Sequence, residues 1–257
     1  VEATRPTEVC FYGEPPTHLT YPALEAAGAR HAFTTRHHAP LAGPSAPGGP
    51  FGASGSSVAM EALGHWAGAL SFARQVHGAD AVLVQAEASG LVGTGDALIT
   101  ATPRRPLAVF TADCLAVILV DPRARLLAVA HAGWRGTVAG ILGRVVDILR
   151  GLGADSDRLQ AAIGPSIGPC CYEVDRPVVE PLRAAFGSAA GPWLADAGPG
   201  RWRLDLWRAN TDQLVAAGLR PGAIQNPRLC TGCRPDLFFS YRKEGSRGRL
   251  AALATLP

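Results

Sequence analysis

Residues 115–130 read LAVILVDPRARLLAVA: two apolar runs, Leu115 to Val120 and Leu126 to Ala130, separated by Asp121-Pro122-Arg123-Ala124-Arg125. Runs of this length, rich in Val, Ile and Leu, fit buried strands, and the short connector opening on Asp-Pro suits an antiparallel hairpin. Upstream, Ala81 to Val84, Ala97 to Ile99 and Leu107 to Phe110 are further strand-like runs. Downstream, Val138, Ile141, Leu142, Val145, Val146 and Leu149 recur at helical spacing, with Gly151 positioned as a terminator. Helices are also expected from about Pro177 to Phe186 and, capped by Asp205, through Leu214 to Ala217, with strand character returning at Leu237 to Tyr241 and Leu250 to Leu256. Strands arrive in runs rather than alternating strictly with helices. That order predicts an α/β fold of the α+β type, with mixed sheets and helices packed outside them. Neither a G-x-G-x-x-G stretch nor a Walker loop occurs, so nothing points to a dinucleotide or nucleoside triphosphate.

The composition excludes several classes. Hydrophobic residues are 47% and charged residues 18% of the 257, a balance that folds around a sizeable core and lacks the depletion that marks disorder. The net charge of +3 comes from Arg residues scattered singly, which argues against a nucleic-acid surface. No window is apolar enough to span a membrane, and no basic segment followed by an apolar stretch occurs near residue 1, so a cytoplasmic protein is expected. Six cysteines, at 10, 114, 170, 171, 230 and 233, lack the spacing of a disulfide framework and read as reduced thiols. A Gly/Pro/Ser-rich loop at about 36–56 comes too early to divide the chain, so 1–257 is expected to form a single domain.

Three segments carry the chemistry. In Arg74-Gln75-Val76-His77-Gly78-Ala79-Asp80 a His precedes an apolar run, and in Thr111-Ala112-Asp113-Cys114-Leu115 a Cys lies between two strands beside a carboxylate. Taken alone, the first is more often a surface or hydrogen-bonded His than a ligand, and the second more often a packed structural Cys. The third, Ala130-His131-Ala132-Gly133-Trp134-Arg135-Gly136-Thr137, closes a strand with a His and sets Arg135 between two glycines. The amphipathic helix begins immediately after it, so helix amides and Arg135 together make a seat for an anion. Two imidazoles and one thiolate with a fourth position open have the composition of a catalytic zinc site, with copper as the alternative ion. Successive side chains of a strand face opposite ways, so Asp113 points away from a metal that Cys114 faces, which leaves Glu173 as a second acidic candidate. Cys230-Thr231-Gly232-Cys233 is a single C-x-x-C without a second pair and reads as coincidence; Cys170 and Cys171 read as packing residues around Tyr172.

At these residues the chain resembles the YfiH-like, or laccase-domain, family. The matching motifs are RQVHGAD (74–80), GDALIT (95–100), TADCLAV (111–117), HAGWRGT (131–137), AIGPSIGPCCYEV (162–174) and CTGCRPDLFFSYRK (230–243). The resemblance implies a layered α-β-β-α sandwich with mixed sheets and a pocket over the metal, and zinc ligands His77, Cys114 and His131. It also implies phosphorolysis of purine nucleosides, accessory adenosine deamination and an editing role toward peptidoglycan precursors. The expected partners are purine nucleosides and phosphate, bound by a monomer or homodimer. The candidate catalytic residues are His77, Cys114, His131 and Asp113, and the candidate substrate contacts are Arg36, Gln75, Arg135, Ser166, Tyr172 and Arg242. Where the family has a Thr-Arg-x-Gly-Gly segment, this chain has Thr35-Arg36-His37-His38 and then the Pro/Gly loop. Two other activities compete: a thiol hydrolase acting on cell-wall precursors, with Cys114 as nucleophile and His131 as base, and a copper-dependent polyphenol oxidase. The oxidase ranks lower, because a multicopper centre needs many imidazoles and this chain has seven His with no H-x-H pair.

Overall fold

The computed structural model describes residues 8–38 and 70–257, so all but the first three residues of the Gly/Pro-rich loop at 36–56 lie outside the described residues. The quoted hairpin forms as expected: Leu115–Asp121 and Leu126–Ala132 pair antiparallel from Asp121↔Leu126 to Leu115↔Ala132. Its turn is held by the Asp121 carboxylate, whose Oδ1 accepts the amides of Arg123 and Ala124 at 2.9 and 3.0 Å. This is the local bonding that makes Asp a turn residue.

Both strands sit in the middle of a six-stranded mixed sheet ordered Ile224–Gln225, Gln160–Ile163, Leu115–Asp121, Leu126–Ala132, Ala97–Thr100, Ala81–Leu83. A seven-stranded mixed sheet is ordered Cys10–Tyr12, His18–Thr20, Arg30–Thr34, Leu250–Thr255, Leu107–Thr111, Ser71–Arg74, Gly90–Thr94. Period-2 alternation sends Ala116, Ile118 and Val120 into the core between the two sheets, where Phe33, Val109 and Leu250 meet them. Leu115, Val117 and Leu119 face the other way, onto the helices Ile141–Gly151, Arg176–Phe186 and Leu206–Ala216. Both faces of the central strands are therefore buried, which is why they read as continuous apolar runs. Among the described residues these helices pack on the six-stranded sheet, and on the far side of the seven-stranded sheet Phe72, Phe110 and Leu253 form a third buried cluster. No helix among the described residues is long and apolar enough to cross a membrane.

Two expected elements differ. The helix after His131 is split: a five-residue helix Trp134–Val138 ends, Gly140 turns left-handed at φ 71°, and Ile141–Gly151 follows, with Leu152 rather than Gly151 as its cap. The apolar stripe is phased correctly from Ile141 onward, but Gly140 lies off the stripe and its turn leaves no mark on the periodicity. Residues Leu237 to Tyr241 are not a strand; they run through a turn into the helix Tyr241–Glu244, capped by Ser240, whose Oγ accepts the Lys243 amide. Leu237 and Phe238 are apolar because they plug the inter-sheet core. The Asp205 cap holds, accepting the Arg208 amide at 2.9 Å.

Candidate metal centre

His77, Cys114 and His131 come from three different parts of the fold. Cys114 lies in the bend through which the chain leaves Leu107–Thr111 of one sheet and enters Leu115–Asp121 of the other. His131 stands near the end of the neighbouring strand, opposite Ala116, and His77 lies in the turn between Ser71–Arg74 and Ala81–Leu83. Their donor atoms lie within 4.8 Å of one another, and the two imidazoles stand nearly perpendicular, with centroids 4.9 Å apart. His131 is buried and His77 exposed, so the group opens outward on one side.

One buried carboxylate, Asp96, organises two of the three. Its Oδ1 accepts from His131 Nδ1 at 2.8 Å and from the His77 amide at 3.0 Å, and its Oδ2 accepts from the Gly78 and Val76 amides at 2.8 and 3.1 Å. The Asp96–His131 contact leaves Nε2 as the free donor of His131 and fixes the ring, the support that metal-bound imidazoles ordinarily have. The three amide bonds hold the His77 turn with His77 itself left-handed at φ 60°, a conformation that costs a non-glycine residue about 1–2 kcal/mol. Burial pushes the Asp96 carboxyl up, but the bonds from His131, Gly78 and Val76 outweigh it and hold it below the usual range. Sequence reading missed Asp96. Its signal was an Asp between a glycine and the wholly buried strand Ala97–Thr100.

In the metal-free protein these groups form an ion pair. Burial raises the Cys114 thiol, yet hydrogen bonds to His131 and His77 bring it down to about 6. Burial lowers His131, while its bonds to Asp96 and Cys114 raise it to about 9. A cation reverses the imidazolium half by displacing its proton and keeps the thiolate half. The surrounding backbone fits such an ion: a Cβ on Gly133 would stand 2.9 Å from Cys114 Sγ and 3.3 Å from His77 Cδ2, so only glycine leaves the three donors free to converge.

The remaining candidates divide. Asp113, at φ 85°, turns its carboxylate to the Thr231 hydroxyl at 2.6 Å and the Arg242 amide at 2.7 Å, tying the Cys114 bend to the C-terminal segment. Gln75 exchanges two 2.8 Å bonds with the Phe110 backbone and works as a sheet extension. Ser166 is fully buried, accepts the Trp207 indole at 2.7 Å and donates to Gly164 O. Arg36 is paired with Glu244 at 2.9 Å and donates to Pro235 O. Tyr172 lies beside the centre: burial and then the Cys114 charge push its phenol well up, while Arg242 and Arg135 are close enough to pull it back. Arg242 reaches over the Tyr172 ring and donates to Glu173 O. Arg135 is exposed, stacked on Trp134 at 4.3 Å. The helix behind it has only five residues, so the expected anion seat loses the dipole of the longer helix, whose positive end lies at Gly140.

A carboxylate-backed His2Cys group where the chain crosses from one mixed sheet to the other is the framework of a site that can hold a metal ion. Residues 54–257 match the family described as multi-copper polyphenol oxidoreductase laccase, and the chain belongs to this laccase-domain, YfiH-like family. A purine nucleoside phosphorylase of Deinococcus radiodurans is 40% identical over 237 residues, 88% of this chain and 89% of that protein. Adenosine deaminase RL5, from an unknown prokaryotic organism, is 41% identical over 150 residues, 58% of this chain and 57% of its own. The crystal structure of YlmD from Geobacillus stearothermophilus superposes with a TM-score of 0.83 at 32% identity, covering 96% of this chain and 98% of that one.

Proposed function

We propose that this protein is a zinc-dependent purine nucleoside phosphorylase that also deaminates adenosine at the same site. The observation that carries the reading is the convergence of His77, Cys114 and His131 in front of Asp96. Two imidazoles and a thiolate with one side open suit zinc. When bound there, zinc supplies a Lewis acid and acidifies water toward pH 7. The chain's own residues do the rest. Asp96 orients His131, and Asp113 holds the bend that presents Cys114. Arg135, which has no ion pair among the described residues, and Arg242 flank Tyr172 and supply positive charge for phosphate. Val76, next to His77, and Tyr241, next to Arg242, are large apolar side chains left exposed and offer faces for a flat base. Asp113 is occupied by two donors, so Glu173, partly exposed beside Tyr172, is the acid that can move a proton in deamination.

A copper oxidase, the activity named in the family's description, is disfavoured by the donors. Among the described residues the metal-competent groups are this one and a second made of four thiols, with no further imidazole cluster. A second reading has one specific observation in its favour. The Cys114 thiol at about 6 beside His131 at about 9 is a thiolate nucleophile whose proton His131 has already taken as base and can return as acid to the leaving group, an arrangement suited to hydrolysing a cell-wall precursor without metal.

Adenosine turnover, followed as adenine release with phosphate and as inosine formation without it, tests both readings. Zinc chemistry predicts that a chelator and Cys114→Ala each abolish both products. Phosphorolysis that survives Cys114→Ala overturns the proposal, and hydrolysis of a peptidoglycan fragment that survives the chelator but not Cys114→Ala supports the thiol reading.

A further inference from the structure

We infer that the protein holds a second, structural zinc ion between Cys170, Cys171, Cys230 and Cys233. The four Sγ atoms lie within 4.8 Å of one another, although the two pairs sit about sixty residues apart in the chain and neither belongs to a regular strand. The reading of Cys170 and Cys171 as packing residues around Tyr172 is corrected by the fold: Gly168 O accepts the amides of both Cys171 and Tyr172, which curls the segment into a turn, and both thiols face the same cluster. Cys170 Sγ and Cys171 Sγ stand 3.3 and 3.5 Å from Cys233 Sγ. A disulfide needs about 2.05 Å, whereas thiolates around one zinc at about 2.3 Å are about 3.8 Å apart. The cluster is spaced for an ion.

The backbone around it is built for the same purpose. Cys230-Thr231-Gly232-Cys233 forms a tight knuckle in which Cys230 O accepts the amides of Cys233 and Arg234 at 3.3 and 3.1 Å. The Gly168 amide donates to Cys230 Sγ at 3.3 Å, the kind of bond that orients a thiolate ligand. A Cβ on Gly232 would lie 2.9 Å from Cys171 Cβ and 3.0 Å from its Sγ, so the knuckle closes on the other pair only with glycine at that position. A parallel bridge between Ser166 and Cys230 sets the two segments in register. Four thiolates around a dication carry two net negative charges. Lys243 lies against Gly232, and Arg203 donates to the Cys170 carbonyl, so positive side chains border the cluster. Four soft donors and no imidazole select zinc in a closed tetrahedral site, with no position left for substrate.

The consequence reaches the catalytic side. The clamped segments carry Tyr172 and Thr231, and Thr231 bonds the Asp113 carboxylate beside Cys114. The second ion therefore fastens the wall of the first site while contributing no ligand to it.

Metal analysis of the full-length protein and its variants tests the inference. Wild type is expected to hold about two equivalents of zinc; Cys114→Ala loses one, and Cys171→Ser/Cys233→Ser loses the other. Should the double variant fail to fold, cobalt substitution of Cys114→Ala is read instead, where visible bands of a tetrahedral all-thiolate site are expected. A mercurial titration of Cys114→Ala should release its zinc in step with four thiols. A Cys114→Ala protein that binds no metal overturns the inference, as does a disulfide joining these segments in unreduced wild type.

Discussion

Replacing Asp96 by Asn isolates what the buried carboxylate does. Its two oxygens accept four donors, the His131 ring and three amides, whereas an amide side chain offers one oxygen and one nitrogen. Whichever way the Asn points, two of the four donors face its NH2 group. Each buried donor left unpaired costs about 1–3 kcal/mol, so the substitution should destabilise the protein by about 2–6 kcal/mol. At about 2–4 °C per kcal/mol for a chain of this size, the melting temperature falls by at least several degrees. Zinc affinity should fall as well, by about 10–100-fold, because the His131 ring and the His77 turn lose their orientation. A general loss of stability must be separated from that specific effect. Asp121 provides the control: it too is fully buried with four donors, the amides of Arg123, Ala124 and Asp155 and the Arg158 guanidinium, but in the hairpin turn away from the centre. Thermal unfolding of metal-free protein and zinc competition against a chromophoric chelator are measured for both variants. Both should unfold earlier, and only Asp96→Asn should bind zinc more weakly. Equal zinc affinity in the two variants would refute the role given to Asp96.

Two further predictions follow from the same geometry. In chelated protein the Cys114 thiol at about 6 lies below its ordinary 9.0, so its contribution to stability is full above pH 9.0 and is lost as pH falls through about 6. His131, raised from 6.5 to about 9, contributes fully below pH 6.5 and loses that contribution as pH rises through about 9. The stability difference between wild type and Cys114→Ser should therefore peak between these limits, and a difference that changes monotonically from pH 5 to 10 would sink the ion-pair account. Gly133 has an ordinary φ of −78°, so Gly133→Ala strains no backbone and acts only through the Cβ placed 2.9 Å from Cys114 Sγ. It should weaken zinc binding about tenfold or more while leaving the fold intact by circular dichroism, since displaced donors cannot keep metal geometry within a few tenths of an ångström; unchanged affinity would mean that the donors converge elsewhere.

What the sequence determines here is what depends on neighbours along the chain. Buried strands such as Leu115–Asp121 and Leu126–Ala132 are legible because burial on both faces leaves an unbroken apolar run. The Asp121 turn and the Asp205 cap are legible because each bonds amides two or three residues ahead. The motifs around His77, Cys114 and His131 also mark those residues, though not how near they stand to one another. Tertiary structure decides what lies across the chain. It puts Asp96 behind both His131 and His77, hands Asp113 to Thr231, and spends Gln75 and Ser166 on holding the frame. It also gathers two cysteine pairs that each look incidental in the sequence. The physical reason is the same in every case: a buried polar or thiol group is defined by the partner that compensates its lost hydration, and that partner comes from whichever segment the sheets bring alongside.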